Sequence, residues 1–562
     1  MSMSNNPYLL DINNLTINFS TDEGLVHAVR DVSLNVRPGE IMGLVGESGS
    51  GKSVTAKTIM RLNPNNTLIE QPSQIIFNHN GKDINVLKLR GKDLSVVRGG
   101  AVSMIFQEPM ASFAPAIRIS DQIIQTMQIH LGIDKKEARR RGIELFERVG
   151  IVQPESRFDQ YVFELSGGMR QRAMIAMALS TQPKLLIADE PTTALDVTIQ
   201  AQVLELMLEL REQYGMAMLF ITHDLGVISK IADRVTVMQK GKVVEAGSAH
   251  QVLFDAQHKY TKKLLDSLPN LDNLPEAPKE KPAPMVSMEN LSVAYKMSSI
   301  GRKPELFRAV KNITLELPKG HIIGLVGESG SGKTSLGKAL LGASPISGGE
   351  VRYHTGTGGL SFDKKQSFKR KDLANIAQLV FQDPYSSLNP RMTVRDIIAE
   401  PLEAMGLTKD RSETDRRVLE IAEKCYIDIN HLRRFPHAFS GGQRQRISIA
   451  RALVCKPKFI VADESVAALD VSIQAEILTL LKSLRDELGL TILFISHDLS
   501  VIANLCDWVC VMRYGELIEQ GSVRQIFLDP QQSYTQQLIA SIPLLEHPDK
   551  VLNSVSEVEN TQ

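Results

Sequence analysis

The sequence predicts an α/β protein built twice, each copy a mostly parallel sheet with helices on both faces. Three observations support this. A short loop of glycines, serines and one lysine follows an apolar run of strand length at Gly46–Ser53, and again at Gly327–Thr334. Strand-like and helix-like segments alternate downstream of each loop. The same landmarks then recur in the same order, 281 positions apart at Lys52 and Lys333 and 274 or 275 apart thereafter. Such self-similarity marks an internal duplication, with a small insertion near the start of the second copy.

Both loops, Gly46-Glu47-Ser48-Gly49-Ser50-Gly51-Lys52-Ser53 and Gly327-Glu328-Ser329-Gly330-Ser331-Gly332-Lys333-Thr334, fit the phosphate-binding spacing G-x-x-x-x-G-K-[ST]. Glycine at the tight turns lets backbone amides approach a polyphosphate. Lys52 or Lys333 reaches the terminal phosphates, and the hydroxyl of Ser53 or Thr334 offers a ligand to Mg²⁺. An apolar strand leads in and a helix leads out, so the anion would meet the helix N-terminus.

Ahead of the first loop, Leu15 to Phe19 and Val32 to Val36 alternate apolar and polar residues and read as strands, closed by Arg37-Pro38-Gly39. From Arg61 to Val97 the pattern is mixed. Val102 to Phe106 is a buried-type strand ending at Gln107, and 119–150 reads as helical, with Lys135 to Arg141 as a solvated face. Leu165-Ser166-Gly167-Gly168 precedes a helical run, Ala173 to Leu179. Lys184 to Ala188 is an apolar strand closed by Asp189-Glu190, and Ala217 to Thr222 is another, capped by His223-Asp224. Val235 to Val244 reads as a hairpin turning at Lys240-Gly241. Pro269, Pro275, Pro278, Pro282 and Pro284 mark a short stiff linker at 270–284. The second copy repeats the order: Leu379 to Phe381 then Gln382, Phe439-Ser440-Gly441-Gly442, Phe459 to Asp463 then Glu464, and His497-Asp498. Domains are expected at 7–269 and 285–544, followed by a polar tail at 545–562.

Composition narrows the function classes. With 64 basic and 64 acidic residues the formal net charge is zero, which gives no electrostatic reason to expect nucleic acid. No apolar run approaches the roughly 18 residues a membrane span needs, and the N-terminus lacks a secretory layout. The four cysteines, Cys425, Cys455, Cys506 and Cys510, form no C-x-x-C pair. Cys506 and Cys510 could share a helix face, but free core thiols in a reducing compartment are the favoured reading.

The chemistry gathers at strand ends. Asp189 and Asp463 can present a carboxylate to Mg²⁺ beside the loop hydroxyl. Glu190 and Glu464 sit where a carboxylate could polarise water for attack on a γ-phosphate. Gln107 and Gln382 could touch both metal and water, and His223 and His497 could hold the γ-phosphate. Taken singly, each has a plain structural reading. Their order, repeated twice, is what points to nucleotide hydrolysis.

At this point the chain resembles the ATP-binding-cassette (ABC) ATPases over nearly its whole length. Ser166-Gly167-Gly168 and Ser440-Gly441-Gly442 look like that family's signature motif, and Asp196 and Asp470, in Ala-Leu-Asp, like its D-loop. The resemblance implies two cassettes, each with a helical subdomain and a small antiparallel β subdomain. It also implies composite ATP sites, in which the signature serves as a second anion site for nucleotide on the opposite cassette. Phe19 and Tyr295 fall where the family stacks an aromatic on adenine, with plain strand packing as the alternative. Phe381-Gln382-Asp383-Pro384-Tyr385-Ser386-Ser387-Leu388-Asn389-Pro390-Arg391 is similar to a segment of dipeptide and oligopeptide importer ATPases. So are the cassette tails, from His258-Lys259-Tyr260-Thr261 and from Ser533-Tyr534-Thr535.

That likeness implies an ATPase at the cytoplasmic face of the inner membrane. Its expected partners are two integral-membrane permease subunits and, indirectly, an extracytoplasmic solute-binding protein. Peptides are the expected cargo, with oligosaccharides as the alternative. Some relatives carry an iron–sulfur cluster on tail cysteines; this tail has none, so no cluster is expected. Two departures stand out: the first cassette has Phe113-Ala114-Pro115 in place of Leu388-Asn389-Pro390, and Met169 stands where the second has Gln443. The competing reading is a soluble twin-cassette ATPase acting on the ribosome. The short proline-rich linker and the absence of net charge argue against it.

Overall fold

The computed structural model describes the chain except residues 1–5, 22–23, 193–196, 267–273, 277–281, 298–304, 356–358, 365–369, 467–468 and 543–562. The expected linker lies largely, and the polar tail wholly, outside the described residues, as does Asp196. The chain divides into two compact units, one holding most residues up to Leu268 and the other Pro269–Ile542.

In the first unit the central sheet has six strands, in the order Lys242–Ser248, Arg234–Gln239, Ile41–Val45, Ala217–Thr222, Leu185–Asp189 and Val102–Ile105. All but the outer hairpin pair in parallel. Ile41–Val45, Leu185–Asp189 and Ala217–Thr222 are buried along their full length, as strands covered on both faces must be. The second unit repeats the order: Glu516–Ser522, Trp508–Arg513, Ile322–Val326, Thr491–Ile495, Phe459–Asp463 and Ala377–Val380.

A separate antiparallel sheet leans on each central one. In the first unit it is built on the long hairpin Leu10–Thr21 and Gly24–Val36, well beyond the short strands that alternation predicts. Gln74–His79, Lys82–Asn85 and Thr67–Ile69 complete it. These last three strands fall in the stretch whose pattern is mixed, because only Ile75 and Phe77 of the central one face the core. The second unit uses Pro284–Met297, Glu305–Pro318, Ile346–Tyr353 and Leu360–Asp363.

The helical part of the first unit resolves 119–150 into Ile119–Leu131 and Lys135–Arg148, broken at Gly132, which is left-handed at φ +66. Asp134 caps the second helix by accepting from the amides of Lys136 and Glu137. Phe146 and Phe158 meet edge-on, ring centres 5.0 Å apart, and tie this layer to the core.

The cysteines are the free core thiols expected, and the alternative of a shared helix face is not what the structure shows. Cys506 ends the helix Leu499–Leu505, and Cys510 lies inside the strand Trp508–Arg513, so they share no helix face. All four are buried free thiols, and burial pushes the Cys425 and Cys510 thiols up to about 12. Among the described residues, no helix is long and apolar enough to cross a membrane.

Candidate active site: the phosphate loops and their carboxylates

Each phosphate loop joins a buried strand to a helix, Ile41–Val45 to Lys52–Ile59 and Ile322–Val326 to Lys333–Leu340. No side chain caps either helix start, so the first-turn amides are left for an anion. Glycine is required at two positions of each loop. Gly51 and Gly332 stand at φ +100 and +102, and a Cβ there would lie 2.7 Å from the Ala28 carbonyl oxygen and 2.3 Å from that of Ala309. At Gly46 and Gly327 the carbonyl oxygens of Met238 and Met512 would be only 2.1 Å away. These neighbours are backbone, and no rotamer change relieves them.

Lys52 is buried and curls over its own loop, its Nζ donating to the carbonyls of Gly46 at 2.6 Å and Glu47 at 2.8 Å. Lys333 does the same to Gly327 at 2.6 Å and Glu328 at 2.9 Å. Ser50 and Ser331 are buried, whereas Ser48, Gly49, Ser329 and Gly330 are exposed at the loop tips.

The hydroxyls and carboxylates converge as expected. Ser53 Oγ donates to Asp189 Oδ1 at 2.9 Å, and Thr334 Oγ1 to Asp463 Oδ1 at 3.0 Å. Burial pushes both aspartates above the usual carboxylate range, and the hydroxyl bonds offset only part of that. Hard oxygen donors, one of them a desolvated carboxylate, suit a small divalent cation.

Glu190 and Glu464 follow at left-handed φ of 49° and 44°, uncommon for a glutamate and a mark of stored strain at functional sites. Each turn is pinned by its amide, which donates at 2.9 Å to Ile221 or Ile495. There the carboxylate meets two partners. Gln107 Nε2 donates to Glu190 at 2.7 Å, and Gln382 Nε2 to Glu464 at 2.6 Å. His223 Nδ1 lies 3.2 Å from Glu190, and His497 Nδ1 3.3 Å from Glu464. The bond to Glu464 raises the His497 imidazole against the pull of burial. Burial pulls harder on His223, yet the bond and charge of Glu190 outweigh it and raise that imidazole too. Glu464 is lowered in return, chiefly by the His497 bond.

Ser166 and Ser440 cap the helices Gly167–Leu179 and Gly441–Leu453, accepting at 3.4 Å from the amides of Met169 and Gln443. Gln443 also reaches back, accepting from the Ser440 amide at 3.0 Å to close a capping box. Met169 carries no acceptor for that return bond, so the substitution leaves the first signature less tightly tied. Gly168 and Gly442 sit against Ile199 and Ile473. Asp470 stands at the start of the helix Val471–Leu488. Phe19 is half-buried beside Val26 and Thr67. Tyr295 is half-buried with its hydroxyl 2.9 Å from Ser344 Oγ and 3.3 Å from Ser335 Oγ on the loop helix.

Two residues that sequence reasoning left without a role also touch the loops. The Glu47 amide donates to the Tyr260 hydroxyl at 3.0 Å, and the Glu328 amide to the Tyr534 hydroxyl at 3.2 Å. Glu245 holds the first tail in place by accepting from the Gln257 and His258 amides, and Glu519 holds the second through Gln531 and Gln532. The signal was the recurrence of Tyr-Thr at the same point of both copies; the contact spans 213 and 206 positions, beyond any local pattern.

This fold and site define a nucleotide-hydrolysing cassette present twice, and the sequence matches the ABC transporter family over residues 29–193 and 310–467. The chain belongs to that family; it is an ATP-binding ATPase with two cassettes. Residues 244–290 and 518–561 match the oligopeptide/dipeptide transporter C-terminal region. A peptidoglycan transport ATP-binding protein, YejF, of Agrobacterium fabrum is 47% identical over 96% of this chain and 97% of its own. An uncharacterized ABC transporter ATP-binding protein, also YejF, of Escherichia coli K12 is 44% identical over 95% and 99%. The glutathione import ATP-binding protein GsiA of Escherichia coli O157:H7 is 40% identical over 97% and 92%. These likenesses lend no support to the ribosome reading.

Proposed function

We propose that the chain is the peripheral energy-coupling subunit of an importer for peptide-like solutes, acting at the cytoplasmic face of the inner membrane on two separate permease subunits. A solute-binding protein outside the membrane would deliver the cargo. The observation that supports this most is the pairing of a complete catalytic set in each unit with an oligopeptide-type C-terminal region after each cassette.

In this reading Lys52 and Lys333 exchange their loop carbonyls for phosphate oxygens, and the loop amides bind the rest of the polyphosphate. Ser53, Asp189 and Gln107 would hold Mg²⁺ in one site, and Thr334, Asp463 and Gln382 in the other. When bound, that ion neutralises phosphate charge. Glu190 and Glu464 accept the proton of the attacking water at Oε, with Gln107 and Gln382 fixing their orientation. His223 and His497 donate toward the γ-phosphate. The Ser-Gly-Gly turn of each cassette completes the site of the other, at Ser440, Gly441 and Gly442 for the first and Ser166, Gly167 and Gly168 for the second. Asp196 and Asp470, the D-loop positions, would contribute to nucleotide binding, and Phe19 and Tyr295 would flank adenine.

The segments after Gln107 and Gln382 are the proposed docking surface for the permeases, since Met110 and Tyr385 are 40% and 60% exposed there. The test is purification of the chain from membranes with identification of what accompanies it. Two integral proteins should co-purify, and Met110→Glu with Tyr385→Glu should release them while nucleotide binding persists. Co-purification of ribosomes without integral proteins would contradict the proposal.

A further inference from the structure

The strand Trp508–Arg513 ends beside the second phosphate loop, and the residues around its end back that loop directly. Met512 turns its carbonyl toward Gly327, and the Gly515 amide donates to the Ser331 carbonyl at 2.9 Å. The first unit is backed in the same way, by Met238 toward Gly46 and by a 3.0 Å bond from the Gly241 amide to the Ser50 carbonyl. The two units part at one side chain. Arg513 ends the strand in the second unit, and Gln239, 274 positions earlier, ends it in the first.

The Arg513 guanidinium lies over two rings, its Cζ 4.4 Å from the centre of Tyr534 and 5.1 Å from that of Tyr514. Tyr534 is buried and Tyr514 exposed, so the contact with Tyr534 is the desolvated, stronger one. Arg513 Nε is buried without a hydrogen-bond partner, a cost that an aliphatic side chain would avoid. The ring faces are what offset it.

Tyr534 is also the residue whose hydroxyl accepts from the Glu328 amide of the loop, at 3.2 Å. That length is the upper end of the N–H···O range, so the bond has little slack. The hydroxyl stands at the far end of a rigid ring, and a small lean of the ring carries it out of reach. A cation over the ring face opposes that lean. The peptide it steadies bears on the site, because the Glu328 carbonyl is one of the two to which Lys333 donates. Tyr260 makes the same bond to the first loop at 3.0 Å, where the strand end is the uncharged Gln239.

We infer that Arg513 is a positioning residue of the second nucleotide site. It acts through the Tyr534 ring on the Glu328 peptide, and the first loop is held without it. Charge, rather than bulk, is the property that position 513 supplies. The affinity of the second loop for nucleotide therefore depends on a cation there, and that of the first loop does not depend on position 239.

The experiment measures equilibrium binding of a fluorescent ATP analogue to the full chain carrying Lys52→Ala, so that the second loop alone reports. Arg513→Met should weaken binding about threefold. Arg513→Lys keeps a cation for the ring and should bind close to the Lys52→Ala parent. Where Tyr534→Phe is also present the ring stays and the hydroxyl is gone, so Arg513→Met should cause no further loss. The mirror control, Gln239→Met in a chain carrying Lys333→Ala, should leave binding at the first loop unchanged. An arginine that merely supported the fold would lose affinity equally with or without the hydroxyl. Unchanged affinity in Arg513→Met, an equal loss in Arg513→Lys, a loss that persists beside Tyr534→Phe, or a matching loss in Gln239→Met would each overturn the assignment.

Discussion

Replacing Gly51 and Gly332 together by alanine tests whether loop geometry, rather than glycine content, makes the nucleotide site. A left-handed backbone costs an L-residue about 1–2 kcal/mol. The new Cβ atoms would also sit 2.7 and 2.3 Å from backbone oxygens of the neighbouring strands, so loop or strand must yield by about 1 Å to reach ordinary contact. Where positioning governs an interaction, a displacement of that size costs about 10²-fold, or roughly 2.7 kcal/mol. The control is Gly39→Ala with Gly320→Ala. Those glycines are left-handed too, at φ +72 and +75, but a Cβ on either meets nothing within 4 Å. Both pairs should lose stability to urea through the left-handed φ, the loop pair more because its Cβ atoms also meet backbone. Equilibrium binding of a fluorescent ATP analogue should fall about 10²-fold in the loop pair alone. Loop variants that bind like the unmodified protein, or turn variants that lose as much, would refute the reasoning.

Tyr260→Phe and Tyr534→Phe remove an acceptor from a loop amide, so each should weaken ATP binding by about three- to tenfold, the range of a single hydrogen bond of ~0.5–1.5 kcal/mol; unchanged affinity would make the tail contacts incidental. The His497–Glu464 pair should give stability a pH dependence. The raised imidazole contributes fully below its unfolded value near 6.5 and fades as pH rises through its folded one. The lowered Glu464 contributes above about 4.3 and fades as pH falls through its folded value. The destabilisation caused by His497→Asn in urea should therefore be larger near pH 6 than near pH 9; equal values at both would show that the pair is not linked as described.

Much of this was legible because the phosphate loop and the strand-end acids are local patterns. Each strand that ends at Asp189 or Asp463, or just before His223 or His497, is a short apolar run whose end can be read directly. The small antiparallel sheets were not legible. Thr67–Ile69 has two exposed residues of three, and Lys82–Asn85 is exposed or half-buried throughout, so neither carries an alternation to read. The left-handed turns at Glu190 and Glu464 are equally silent in sequence, since nothing about a glutamate announces a positive φ. They arise from a backbone bond to a neighbouring strand, a tertiary fact. The tyrosine contacts of the tails are tertiary in the same sense: their partners come from elements far apart in the chain.

The central claim is that both cassettes hydrolyse ATP, because every position that would act in one has a competent counterpart in the other. Glu190→Gln and Glu464→Gln each keep a hydrogen-bonding side chain beside the glutamine and histidine while removing the base. Steady-state ATPase of the two single variants, measured on membranes carrying the permeases, tests this most directly. Each change alone should leave ATP binding intact and lower turnover by about 10²-fold, or roughly 2.7 kcal/mol of barrier. One variant turning over near the unmodified rate while the other is inactive would contradict it, and would assign hydrolysis to a single cassette.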